Sequence, residues 1–139
     1  MNDGTLAARI TKGRPLVMVT VRPCDLEISA RRRLHGAAPD DAVRCRGIIS
    51  TAAAITSVSI DVLESLGLVR NIVAESDQGY CVSLSLESLT GEPFVIRRAL
   101  VVSHTAESSE YPVIIGADQL RSLRFTIDGP SKGFDLQRV

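Results

Sequence analysis

The stretch that decides the fold is residues 48–58, which read IISTAAAITSV. An apolar pair, Ile48-Ile49, leads into the small residues 50–54, and a second apolar-polar run follows. Apolar β-branched residues favour strands, whereas a run of small residues suits a tight connection between two strands. Taken alone, the small-residue run is typical of an ordinary turn, so its meaning depends on other segments of the chain.

Three further segments occur in a fixed order around this stretch. Residues 60–68 read IDVLESLGL, residues 113–120 read VIIGADQL, and residues 125–129 read FTIDG. The first has a plausible N-cap before it, Ser59, and a plausible C-cap within it, Gly67, so it predicts a short helix. The second is a short buried apolar run that ends at a glycine.

In this order and spacing, from about residue 15 to 137, the four segments resemble the retropepsin family of retroviral-type aspartic proteases, most closely its bacterial members. The resemblance implies an all-β, retropepsin-like closed or partly open β-barrel with two short helices, whose active unit is a homodimer. In that family each subunit supplies one Asp to a shared cleft. The two close carboxylates share a proton, so one acts as a base on water while the other donates to the carbonyl.

Carried over residue by residue, the resemblance places Ser50 in the slot of the catalytic Asp, Thr51 in that of a buried Thr, and Ala52 in that of a Gly. A serine hydroxyl is un-ionised at neutral pH and cannot serve as that base. The Cβ of Ala52 requires a negative φ or a shifted loop. Support for the cleft and the dimer is assigned to Ala53, Ile114, Ile115 and Gly116.

Three functions follow from this mismatch. The first is a pseudoprotease or inactive variant, without turnover, that binds an extended peptide or partner in the dimer cleft. The second is an aspartic endopeptidase whose active form carries Asp at position 50. The third is a structural dimerisation module that binds no peptide. Loss of the Asp, the Gly and the Ser/Thr slot (Ala54) together favours natural loss over a single engineered change.

Other chemistries are weaker. Ser50 with His35 or His104 could form a hydrolase triad, but Ser50 lacks the Gly-x-Ser-x-Gly elbow. The histidines and cysteines have no metal-ligand spacing, and no Gly-rich phosphate loop occurs, so we expect no metal and no cofactor. Asp118 stands at a helix start, where a capping role explains it, and Asp128 stands in a hairpin turn.

Composition limits the partners. Lys plus Arg and Asp plus Glu number 16 each, and the chain has no Trp, two Tyr and three Phe, so neither nucleic acid nor an anionic membrane is an expected partner. No apolar run is long enough to span a membrane. The three cysteines are an odd number, which we interpret as reduced thiols in a cytoplasmic protein.

The remaining pattern predicts a loose, flexible N-terminal arm over residues 1–14 and one domain over 15–139. Strict alternation predicts a half-buried strand over residues 80–86. A short strand is predicted over 70–75 in a reduced flap region, and a second short helix over 117–123. Residues 125–136 predict a closing hairpin, giving eight or nine short strands in all.

Overall fold

The structure is a computed structural model that describes residues 5–25, 42–68, 79–105, 107 and 109–138. These residues form nine strands and two short helices, so the predicted all-β architecture is confirmed. The strands are β1 (Thr5–Thr11), β2 (Arg14–Pro23), β3 (Val43–Ile49), β4 (Ser57–Ser59), β5 (Tyr80–Leu86), β6 (Phe94–His104), β7 (Val113–Ile115), β8 (Leu123–Asp128) and β9 (Gly133–Arg138). The helices are α1 (Ile60–Ser65) and α2 (Ala117–Leu120).

Six of the strands close into a barrel. Their order is β3-β7-β4-β6-β5-β2, and β2 also pairs with β3, which completes the ring. Strands β2 and β5 show the alternation of buried and less buried residues that a pleated strand with one buried face requires. Val17, Val19 and Val21 of β2 point inward, as do Val82, Leu84 and Leu86 of β5. Burial of these side chains, at roughly 25 cal/mol per Å² of apolar surface, supplies the main drive for folding.

Strand β7 lies between β3 and β4. It runs parallel to β3, with Ile48 opposite Ile114, and antiparallel to β4, with Ser57 opposite Ile114. The chain therefore leaves β3, crosses past the end of β7 and returns as β4 on its other side. The crossing segment is residues 50–56, the centre of the sequence signal.

The three remaining strands extend the sheet from β2, in the order β2-β1-β9-β8. The loose arm predicted for residues 1–14 is wrong for its described part, because Thr5–Thr11 is β1 and pairs with β9 over residues 5–9. Leu6 is fully buried beside Leu136, and this apolar anchor holds the segment in the sheet. The polar composition of this segment did not predict a strand, although a strand needs apolar residues on only one of its faces.

The helices agree with the prediction in place and differ in length. Helix α1 begins after Ser59, whose hydroxyl accepts the N–H of Asp61 at 3.3 Å, and Gly67 follows it with a φ of 68°. Helix α2 ends at Leu120 rather than at residue 123, because Leu123 already belongs to β8.

The prediction of three reduced cysteines is wrong for two of them. Cys24, just after β2, and Cys81 of β5 form a disulfide with their Cα atoms 5.5 Å apart, and Cys45 is free. The pairing of β2 with β5 brings the two residues together across 57 positions, which no sequence spacing reveals. The cytoplasmic location stays a prediction, but reduced cysteines no longer support it, because disulfides persist mainly in oxidising compartments.

Several predictions lie outside the described residues. These are the strand at 70–75, most of the reduced flap region and His35. No helix within the described ranges is long and apolar enough to cross a membrane.

Candidate functional site

The candidate site is the loop of residues 50–56, which the barrel presents at the ends of β3 and β7. The N–H of Ser50 donates to the carbonyl of Ile115 at 2.9 Å, which extends the β3–β7 pairing by one residue. Farther along, the N–H of Ala117 donates to the carbonyl of Ala53 at 2.7 Å, and the N–H of Asp118 donates to that of Ala54 at 3.2 Å. The loop is thus held against β7 and the start of α2 by main-chain bonds, which do not depend on its side chains.

Gly116 is the point of closest approach between these segments. A Cβ at this position would lie 2.7 Å from the carbonyl oxygen of Ala53 and 2.8 Å from the carbonyl carbon of Ile55. Real Cβ contacts are essentially never this short, and both neighbours are backbone atoms. Gly116 is therefore required for space rather than for its φ, which is −100°.

Ser50 is half-buried, and its hydroxyl accepts the N–H of Ala53 at 3.3 Å. This is a local turn stabilised by a serine side chain. A serine hydroxyl here can hold a polar group or a water by hydrogen bonding, but it cannot take up a proton at neutral pH. Ala52 needs no special backbone, because Lys12 and Lys132 are the described non-glycine residues with positive φ.

The tip of the loop faces outward in the single chain. Thr51, Ala52 and Ala54 are exposed, and Ile55 is 52% exposed. The resemblance implied a buried threonine at position 51, whereas the buried threonine of the single chain is Thr56, with no exposed surface.

Thr56 is held by Asp118. The Oδ1 of Asp118 accepts the N–H of Thr56 at 2.9 Å and its hydroxyl at 2.7 Å, and the Oγ1 of Thr56 in turn accepts the N–H of Gly116 at 3.0 Å. The same Oδ1 also accepts the N–H of Gln119 at 2.8 Å. The predicted role of Asp118 as a simple helix cap is therefore incomplete, since its main partner lies 62 residues earlier.

The hydrolase triad considered for Ser50 is not assembled with His104. The ring of His104, at the end of β6, has Nδ1 2.8 Å from the Oγ of Ser57 and Nε2 2.9 Å from the carbonyl oxygen of Tyr111. A carbonyl only accepts, so Nε2 is the donor to Tyr111, and Nδ1 forms the hydrogen bond with the Ser57 hydroxyl. Because Ser57 is only 8% exposed, this pair joins β4 and β6 to the segment before β7 rather than facing a substrate.

An open cleft of about 560 Å³ lies beside the β2–β3 pair. Its lining includes Leu16, whose Cα partner is Ile48 in the strand that leads to Ser50. Basic and aromatic side chains also line it. Arg14 donates to the Oε1 of Glu110 and to the hydroxyl of Tyr111, both at 2.7 Å. The bond from Arg14 holds the pKa of Glu110 below its ordinary value, and Arg46 lies 6.0 Å from the centre of the Tyr111 ring.

The structure thus brings four of the predicted site residues into direct contact: Ser50 with Ile115, and Gly116 with Ala53. Thr51 and Ala52 lie at the exposed tip, and Ile114 sits in β7 between β3 and β4. Sequence reasoning missed Thr56, because its neighbours Ile55 and Ser57 give no local sign that its hydroxyl is buried and hydrogen-bonded. Over the described ranges, no three His, Cys, Asp or Glu side chains are grouped so that they could hold a metal ion.

No family model matches the chain, and no curated protein matches it. Solved structures do show similarity in fold. One is a retropepsin-like aspartic protease from Rickettsia conorii, at 14% identity and a TM-score of 0.48, covering 97% of this chain and 91% of that chain. Another is the retroviral protease-like domain of Ddi1 from Leishmania major, at 12% identity and a TM-score of 0.44, covering 90% and 94%. At these identities and TM-scores, no activity, substrate or assembly of this chain follows from the similarity.

Proposed function

We propose that this chain is a homodimeric protein with a retropepsin-like fold that binds an extended peptide or partner segment and does not hydrolyse it. The observation that carries the proposal is the loop of residues 50–56. It is fixed on β7 and α2 by main-chain hydrogen bonds, and its first residue is a serine where hydrolysis would need a carboxylate.

The nearest candidate for a replacement base is already engaged. Asp118 contacts the loop, but its Oδ1 accepts three hydrogen bonds, from the N–H and hydroxyl of Thr56 and the N–H of Gln119. An oxygen that accepts three hydrogen bonds is committed to holding the loop, so a structural role explains Asp118. Ser50 has no carboxylate with which to activate water.

The exposed tip supports a two-fold contact at this loop. Thr51, Ala52 and Ala54 are small and exposed, so a second backbone can approach them closely. Ile55, at 52% exposure, adds an apolar side chain that dimerisation would cover. A homodimer built here would join two half-grooves into one.

The cleft beside β2 and β3 supports peptide binding. Its volume, about 560 Å³, lies in the usual range for ligand sites. An extended segment would gain affinity from main-chain hydrogen bonds and selectivity from side-chain contacts. Lys12, Arg14 and Arg46 outnumber Glu110 in the lining, which favours a segment with an acidic side chain.

The test is a binding titration with the purified dimer. Fluorescent peptide libraries of matched length, one enriched in Asp and Glu and one in Lys and Arg, are followed by anisotropy. We expect saturable binding of the acidic library and intact peptides afterwards. A dimer that binds neither library at high micromolar concentration is instead the structural module, and peptide cleavage by the wild type overturns the non-catalytic assignment.

A second candidate is a peptidase lineage whose active form carries Asp at position 50. It is favoured by the main-chain anchoring of the loop, because a carboxylate placed at Ser50 would keep the same backbone support. The double variant Ser50→Asp/Ala52→Gly should then cleave peptides in a pepstatin-sensitive manner. The matched control is Ser50→Asn/Ala52→Gly, which supplies the same shape without an ionisable group. A folded, dimeric Asp variant without cleavage counts against this lineage.

A further inference from the structure

A β-bulge places two arginines side by side on the outer face of the barrel. Between two regular pairs of the β5–β6 ladder, the single residue Ser83 of β5 lies opposite Arg97 and Arg98 of β6. Their neighbours on β6, Ile96 and Ala99, both pack on the core. Because successive side chains alternate between faces, both arginines point outward, and both are exposed. The bulge thus sets two cations beside one hydroxyl.

A third arginine flanks Ser83 from the other side. Arg22 of β2 is exposed and is the Cα partner of Ser83, so the two side chains share the outer face. Neighbouring strands lie about 4.8 Å apart, which puts β2 and β6 about 10 Å apart with β5 between them. The half-buried Ser83 therefore has arginines on both sides.

Asp25 fixes the orientation of one of these arginines. Its carboxylate accepts hydrogen bonds from Nε and Nη2 of Arg98, both at 2.8 Å. Because Asp25 follows β2, the Arg98 side chain extends from β6 across β5. The bidentate bond uses two of the five N–H donors of the guanidinium, so the group is held in place with further donors to offer.

The positive charge of this cluster is only partly balanced. Among the described residues, Asp25 bonds to Arg98, whereas the side chains of Arg22 and Arg97 have no hydrogen bond or ion pair. Two positive charges are left over. A phosphoryl group on a side chain carries about −1.5 to −2 charges at neutral pH and has three acceptor oxygens. The cluster complements one such group, and since acidic and basic residues are equal in number, the whole chain does not favour a polyanion.

An exposed apolar side chain lies beside the cluster. Leu100 of β6 is 44% exposed, and its Cα partner is Cys81, two residues before Ser83 on β5. Two residues of a strand span about 6.6 Å, and an extended peptide has the same spacing. A segment whose phosphoryl group lies beside Ser83 would therefore bring the side chain two positions away onto Leu100.

We propose that this outer face of β5 and β6 binds a phosphorylated protein segment, with the phosphoryl group between Arg22 and Arg97 and an apolar side chain on Leu100. Arginine clusters recognise phosphorylated segments through charge-assisted hydrogen bonds. The face is separate from the cleft beside β2 and β3. Arg22 and Arg14 stand near opposite ends of β2, about 26 Å apart along the strand. The inference therefore does not depend on peptide binding in that cleft.

A phosphopeptide titration tests the site. The fluorescently labelled probe Leu-Ala-phosphoserine-Ala-Leu is symmetrical, so it offers an apolar side chain in either chain direction. Followed by anisotropy, it should bind saturably and about ten-fold or more tightly than the same peptide with Ser or Asp at its centre. Replacing both Leu residues of the probe by Ala should weaken binding about three-fold. A probe that binds no better than its Ser and Asp counterparts overturns the proposal.

Arginine variants locate the site. Arg22→Gln and Arg97→Gln each remove one exposed charge and should weaken binding of the probe about ten-fold. Arg9→Gln, at an exposed arginine of β1, is the matched control and should bind as the wild type does. Loss of binding in Arg46→Gln, with binding unchanged in Arg22→Gln, would place the probe in the cleft and overturn the proposal.

Two further ligands identify the source of the phosphoryl group. Inorganic phosphate should bind about ten-fold or more weakly than the probe, because it lacks the contact with Leu100 and the peptide main chain. A single-stranded oligonucleotide of matched length should also bind more weakly, since the described part of this face offers no aromatic side chain on which bases could stack. Either ligand binding as tightly as the probe overturns the assignment to a protein segment.

Discussion

Asp118 accepts both the backbone N–H and the hydroxyl of Thr56, at 2.9 and 2.7 Å, although 62 residues separate them in the chain. The hydroxyl of Thr56 then accepts the N–H of Gly116 at 3.0 Å. One carboxylate therefore connects the loop after β3 to the segment after β7. Since Thr56 has no exposed surface, water cannot replace these bonds.

Removing the carboxylate should be costly. Asp118→Ala leaves the buried N–H and hydroxyl of Thr56 without their acceptor, and we expect a loss of about 2–4 kcal/mol in the free energy of unfolding. Asp118→Asn keeps an oxygen in the same place and should lose about 1 kcal/mol, the charge-assisted part. Urea unfolding followed by circular dichroism measures both. Equal losses in the two variants would show that charge, not the acceptor, matters.

A methyl group at position 116 should displace the loop. Gly116→Ala places its Cβ against the backbone of Ala53 and Ile55, and overpacking of this kind costs about 1–3 kcal/mol. Gly129→Ala is the matched control, because a Cβ there meets nothing within 4 Å. Thermal unfolding should separate the two variants. An unchanged midpoint for Gly116→Ala would mean that the loop moves freely away from α2.

Local signals in the sequence were sufficient for several elements. The alternation at residues 80–86 predicted β5, because apolar and polar residues alternate along a strand that has one buried face. Ser59 and Gly67 predicted both ends of the α1 segment because capping chemistry lies within a few residues of the helix. The small-residue loop at 50–54 was likewise located correctly between two strands.

Long-range relationships were not accessible in the same way. The Thr56–Asp118 bonds and the Cys24–Cys81 disulfide each join segments that only the barrel closure brings together. Strand β1 was missed because its single fully buried residue, Leu6, gives too little periodic signal. In each case the tertiary contact, rather than local propensity, decides the structure.

The disulfide should contribute substantially to stability. It closes a loop across 57 positions, and removing a native disulfide of this kind costs about 2–4 kcal/mol. Cys24→Ala/Cys81→Ala should therefore unfold at lower urea, and dithiothreitol should produce a similar shift in the wild type but none in the double variant. Cys45→Ala is the control, and insensitivity of the wild type to reductant would contradict this prediction.

The free thiol of Cys45 should react slowly. Burial raises the pKa of the Cys45 thiol, so this thiol should resist alkylation at pH 7 until the chain unfolds.

The Arg44–Glu87 ion pair should make stability fall on the acid side. The guanidinium of Arg44, on β3, donates two hydrogen bonds to the carboxylate of Glu87, just after β5. Strands β3 and β5 both pair with β2. The hydrogen bond from Arg44 holds the pKa of Glu87 below its ordinary value of 4.5. A carboxyl group whose pKa is lower in the folded than in the unfolded protein stabilises the fold at pH values above the unfolded pKa. This stabilisation is lost as the pH falls through the folded pKa.

Both side chains of the pair are about half exposed, so Glu87→Gln should cost only roughly 0.5 kcal/mol at pH 7. That difference should shrink below about pH 4. Urea titrations from pH 7 to pH 3 measure it, with Glu64→Gln, an exposed carboxylate on α1, as the control. A difference that stays constant across this range would mean that Glu87 contributes through packing rather than charge.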